Sequence, residues 1–93
     1  MKKMIAKPII YNHKFQKSLI TLSRIGKLKE RILIRINLFL ADRSNPILRD
    51  HSLQGRFKNF RAFSITGDVR IIYREYPHHF LFIDIGTHNQ VYS

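Results

Sequence analysis

The chain is 93 residues long, which allows one domain with a two-layer core and no deep pocket for a small metabolite. Seventeen Lys and Arg against six Asp and Glu give a formal net charge of +11, an excess that favours a polyanionic partner, either nucleic acid or an acidic protein. The absence of cysteine excludes disulfides and thiolate metal sites, and no apolar run approaches membrane-spanning length.

The start, Met1 to Pro8, carries Lys2, Lys3 and Lys7 but no signal-peptide core, because Lys7 and Pro8 interrupt it; a cytoplasmic protein is the expectation. Pro8 to Asn12 reads as a short first strand, with Asn12 placed to cap the element that follows. From His13 to about Ser23, Phe15, Leu19 and Leu22 recur at helical spacing, and Gly26 breaks that helix. From Leu28 to about Ala41 an apolar stripe of Leu28, Ile32, Ile36, Phe39 and Leu40 predicts a second helix. The pair makes an antiparallel helical hairpin.

Asp42 to Pro46 ends the helical part, since the proline biases Asn45 away from helix. Pro46 to Lys58 reads as a loop pinned by Leu48 and Leu53. Three strands follow. Phe60 to Ile65 turns at Thr66-Gly67 into Val69 to Tyr73, and a second turn from Glu75 to His79, around Pro77, leads to Phe80 to Ile85. The last of these is almost continuously apolar, so it is expected to be central and covered by a helix. A short tail with Val91 and Tyr92 ends the chain. The order β-α-α-β-β-β predicts an α+β domain spanning residues 1–93, a helical hairpin packed on a small, mainly antiparallel sheet. The opposite sheet face is expected to be open to a ligand.

Two histidines lie near glycines at the edges of apolar runs, in Asp50-His51-Ser52-Leu53-Gln54-Gly55 and in Gly86-Thr87-His88. Histidine suits proton transfer because it titrates near neutrality. His88 reads as a general acid or base, against the plainer reading of an exposed turn histidine. His51 stands beside Asp50, which either fixes its tautomer or merely caps the loop. Asp68 either holds a histidine, acts as a base, or serves the turn after Gly67. On the strand from Val69, side-chain alternation puts Arg70, Ile72 and Arg74 on one face and Val69, Ile71 and Tyr73 on the other. Arg70 and Arg61 are phosphate candidates, because a guanidinium fork matches two phosphate oxygens; Lys58 and Arg74 extend that basic surface. Tyr92 either stacks on a base or closes the core edge. His13, His78 and His79 receive no role, and the histidines lack metal-ligand spacing, so no metal or other cofactor is expected.

Together these pieces resemble the RelE/ParE superfamily of bacterial type II toxins, and within it the YafQ-like branch. The likeness rests on Asp50 to Gly55, the Phe60-Arg61 step, Gly67-Asp68 leading into Arg70 to Tyr73, and Gly86-Thr87-His88 followed by Val91-Tyr92. It implies a small basic endoribonuclease, an mRNA interferase acting on mRNA at the ribosome and neutralised by a cognate, acidic antitoxin in a hetero-oligomer. It also implies site roles for His51, Asp68, His88 and Tyr92. Two positions depart from the branch: a further histidine falls on Ser64, and a tryptophan after the aspartate falls on Val69. Metal-free cleavage would use the 2′-hydroxyl as nucleophile, with one base, one acid and a cation for the phosphorane. The competing readings are a ParE-like toxin that inhibits DNA gyrase, which needs no proton transfer, and a catalytically weak RNA- or ribosome-binding protein.

Overall fold

A computed structural model describes residues 7–92; the readings made on Met1 to Ala6, Lys2 and Lys3 among them, lie outside the described residues, as does Ser93. Strand β1 (Ile9–Tyr11) leads into helix α1 (His13–Leu22) and helix α2 (Leu28–Ala41). Asn12 caps α1 as its sequence predicts, its Oδ1 accepting from the Phe15 amide at 2.8 Å. Gly26 takes φ +46° in the short link between the helices, a left-handed conformation that a side chain would disfavour. Strands β2 (His51–Ser52), β3 (Arg61–Ser64), β4 (Val69–Glu75) and β5 (Phe80–Thr87) then build the sheet, and a short helix α3 (His88–Tyr92) closes the chain.

The five strands lie in the order β1-β5-β4-β3-β2. Among the described residues only the β1–β5 pair is parallel; the others are antiparallel. Strand β5 is therefore internal, flanked by β1 and β4. Phe15 and Leu22 of α1 and Ile32, Ile36 and Phe39 of α2 pack on Phe63, Ile71, Tyr73, Phe80, Phe82 and Ile85 of the sheet. Phe39 sits at the aromatic centre, with ring centroids 4.6 Å from Phe63 and 4.9 Å from Tyr73, separations at which edge and offset contacts add to burial.

Three sequence expectations need correction or completion. The segment from Pro46 to Lys58 is not a plain loop. It holds 3₁₀ turns at Pro46–Leu48 and Gly55–Phe57 and the two-residue strand β2, which pairs His51 with Ala62 and Ser52 with Arg61. The short tail, given no structure by the sequence, is helix α3. Thr87 and Gln90 form its capping box: the Thr87 amide donates to Gln90 Oε1 at 2.9 Å and the Gln90 amide to Thr87 Oγ1 at 3.3 Å. The sheet face away from α1 and α2 is only partly open. Ala62, Ile72 and Val91 form a second small core there, with Leu53, Phe60, Ile83 and Tyr92 packed around it. Gly86 makes this return of α3 possible. A Cβ at that position would lie 2.8 Å from Gln90 Oε1 and 3.2 Å from Gln90 Cβ.

Candidate functional site

Register fixes which side chains meet. His51 stands opposite Ala62 and Ser64 opposite Arg70, and paired residues share a face. His51, Ser64 and Arg70 thus project from the sheet face opposite the helical core. They border a groove of about 620 Å³ that also reaches the helical side, where it is lined by Arg35 of α2 and by Ile47 and Arg49 of the preceding turn, and it takes in Thr66 and Gly67 of the β3–β4 turn. Among the described residues no carboxylate lines it. Arg70 continues the site toward the C terminus, its guanidinium carbon 5.9 Å from the centre of the Tyr92 ring. The Tyr92 ring in turn meets His88 at 4.6 Å and Phe57 at 5.5 Å, and Arg56 donates to the Tyr92 carbonyl at 2.8 Å. His51, Arg70, Tyr92 and His88 therefore form one surface, with Arg70 in its middle. Arg70 Nε is buried without a hydrogen-bond partner among the described residues.

The tautomer of His51 follows from its contact. Its Nδ1 lies 2.8 Å from the Arg49 carbonyl oxygen. A carbonyl only accepts, so Nδ1 carries a proton and, in the neutral ring, Nε2 holds the free lone pair. Arg49 itself has φ +50°, a left-handed conformation uncommon for a residue with a side chain. The Asp50 carboxylate does not orient His51. It turns to the opposite side, where Tyr73 Oη donates to its two oxygens at 2.7 and 2.9 Å. Arg61 Nε lies 3.1 Å and Arg43 Nε 3.5 Å from it. The Asp50 side chain keeps only 7% of its exposure, so this cluster staples the His51 segment to the core. Burial and the hydrogen bond to Asp50 push the Tyr73 phenol well above its ordinary pKa. Partial burial opposes the charged form of Arg61, but the hydrogen bond with Tyr73 and the charge of Asp50 outweigh it and raise its pKa.

The remaining predicted residues divide. Arg61 shares its face with Phe63 and pairs with Tyr73, so it belongs to the Asp50 cluster on the helical side and does not line the groove with Arg70. Asp68 reaches the backbone of His88, accepting from its amide at 3.4 Å, and so steadies the start of α3 without holding an imidazole. Arg74 lies on the Arg70 face but stacks over Phe60 and Tyr76, at 5.9 and 5.1 Å. Lys58 is exposed just after the 3₁₀ turn at Gly55–Phe57. Two lining arginines, Arg35 and Arg49, escaped the sequence reading. Their residue type announces only charge, and both are brought to the groove by tertiary packing. Among the described residues no group of three or more His, Asp or Glu is placed to hold a metal.

A family model described as the bacterial toxin of type II toxin–antitoxin systems, YafQ, matches residues 7–93. Among solved structures, YafQ from E. coli strain BL21(DE3) aligns with a TM-score of 0.82 at 20% identity, over 94% of this chain and 99% of that one. A chain of the E. coli DinJ–YafQ toxin–antitoxin complex gives 0.81 at 22% identity, over 96% and 100%. A copper-bound mutant toxin from Helicobacter pylori gives 0.74 at 23% identity, over 95% and 100%. A search of curated proteins finds no match. The chain belongs to the YafQ family of type II toxin–antitoxin toxins.

Proposed function

We propose that this YafQ-family toxin is an endoribonuclease that cuts mRNA by metal-free acid–base catalysis, with the ribosome presenting the substrate. The observation that carries the reading is the His51 contact, which leaves Nε2 as the basic nitrogen beside a groove walled by arginines. In this mechanism His51 Nε2 takes the 2′-hydroxyl proton and O2′ attacks the adjacent phosphorus. The P–O5′ bond breaks as His88, in its imidazolium form, gives a proton to the leaving oxygen. The products are a 2′,3′-cyclic phosphate and a 5′-hydroxyl end. Arg70 holds the phosphorane oxygens through its planar fork, and Tyr92 offers a ring for a neighbouring base. Each imidazole transfer contributes about a hundred- to ten-thousand-fold. A groove lined by arginines, and among the described residues by no carboxylate, repels divalent cations, which supports a route without a metal.

The open shape of the groove favours a substrate held in place by a larger particle, which is the support for ribosome dependence. The E. coli YafQ relative occurs in complex with DinJ. By the same logic a cognate acidic antitoxin neutralises this chain, matched to its charge of +11. The test is a reconstituted translation reaction with mapping of mRNA ends. New 5′-hydroxyl ends on ribosome-bound message are expected, lost in His51→Ala and in His88→Ala. Unchanged cleavage in both variants refutes the acid–base assignment. Intact mRNA together with blocked DNA supercoiling points to gyrase instead.

A further inference from the structure

We infer that Arg35, on helix α2, is a substrate-binding residue of the groove, forming with Arg49 and Arg70 a three-guanidinium clamp for one phosphodiester. The inference deepens the ribonuclease reading and rests on it for the identity of the anion as part of an RNA backbone.

Arg35 is fixed before any ligand arrives. Its Nη1 donates to the Ile47 carbonyl at 3.0 Å and to the Ser64 carbonyl at 3.1 Å. One nitrogen therefore anchors the guanidinium to both walls of the groove, and Nε and Nη2 have no partner among the described residues. A side chain already ordered in this way loses little rotamer freedom when it binds, which favours affinity.

The distribution of acids supports a ligand over a purely structural strut. Arg43 pairs with Asp50 and Glu75, and Arg61 pairs with Asp50. Arg35, Arg49 and Arg70 pair with no carboxylate among the described residues, yet all three line one groove. Cations gathered without an anion repel one another, and a buried guanidinium nitrogen without an acceptor, as at Arg70 Nε, loses its solvation without return. A phosphodiester supplies both the charge and the acceptor oxygens.

The experiment titrates the protein with a short single-stranded DNA, which carries the phosphodiester but lacks the 2′-hydroxyl nucleophile. Nitrogen-15 spectra report the arginine side-chain Nε–H signals, and calorimetry reports affinity. The clamp predicts that the Arg35 and Arg70 signals shift on binding in the wild-type protein. Arg35→Gln should weaken binding about tenfold or more, and Arg35→Lys should not restore it, because a lysine lacks the fork. Lys29→Gln, which removes one exposed charge from the same helix, should cost about threefold or less by long-range electrostatics. Unmoved Arg35 signals in the wild type, or an Arg35→Gln loss no larger than that of Lys29→Gln, overturns the clamp. Arg35-dependent DNA binding without mRNA cleavage would leave the clamp standing and defeat the ribonuclease reading. Full cleavage and full DNA affinity in Arg35→Gln would do the reverse.

Discussion

Tyr73→Phe removes one oxygen and leaves the buried ring where it is, among Phe39, Phe63, Phe80 and Phe82. What is lost is the hydroxyl that donates to both Asp50 oxygens at 2.7 and 2.9 Å. A hydrogen bond to a charged group contributes about 1.5–3 kcal/mol. Arg61 and Arg43 stay beside the carboxylate, so the lower part of that range applies, about 2 kcal/mol. For a domain of this size that lowers Tm by about 10 °C, readable by calorimetry at neutral pH. The sign of the pH dependence is also fixed. The phenol's folded pKa is raised, so its contribution is complete below the unfolded value of about 10 and is lost as pH rises above it. The gap between wild type and Tyr73→Phe should therefore narrow in alkaline buffer. Because Asp50 precedes His51, the proposed mRNA cleavage should also slow in the variant with little change in RNA affinity. A Tm loss under about 2 °C at neutral pH, equivalent to less than about 0.5 kcal/mol, would show that the arginines alone hold Asp50.

Gly86→Ala should push Gln90 aside, open the capping box and displace His88 and Tyr92, lowering stability by about 1 kcal/mol and reducing cleavage; normal activity with an unchanged melting curve would mean that α3 adjusts freely. Hydrogen bonds from Lys7 and from Arg43 lower the Glu75 pKa, so its stabilisation is present above the ordinary carboxylate range and lost as pH falls through its folded value. Acid melts of wild type should therefore approach those of Glu75→Gln, and curves that stay parallel down to pH 3, roughly a unit below the ordinary carboxylate value, count against the pairing. RNA affinity should fall linearly with the logarithm of salt, with a slope of about −0.7 per neutralised phosphate, and a flat dependence would remove the electrostatic account of binding.

How far the sequence disclosed this structure depends on how many residues each signal had to work with. Helix α2 has four turns' worth of apolar stripe, β4 has seven residues and β5 an apolar run within eight, long enough signals to read. Strand β2 has two residues, too few to alternate, and exists because β3 offers it an edge. Helix α3 is built of His88, Asn89, Gln90, Val91 and Tyr92, mostly weak helix formers. It forms because Thr87 and Gln90 cap each other and Val91 finds a core to enter, and only the Thr-x-x-Gln spacing could have announced it.

The candidate site was legible in part, and for the same reason. His51, Arg70, His88 and Tyr92 stand out as residue types beside turns and chain ends, and the fold gathers them on one surface. Arg61 could be read as a second phosphate residue beside Arg70 because alternation within each strand does not say how two strands are offset. The register does: with Ser64 opposite Arg70 and Arg61 opposite Tyr73, Arg61 must share the Tyr73 face and falls to Asp50. The same offset makes Ser64 a neighbour of Arg70, and its carbonyl becomes an anchor for Arg35. The two histidines consequently depend on separate fastenings, His51 on the Asp50–Tyr73 cluster and His88 on the capping box of α3. Damage to one fastening should disable one of the proposed proton transfers while leaving the other imidazole, and the arginines between them, in place. The Tyr73→Phe and Gly86→Ala defects should therefore combine additively in stability.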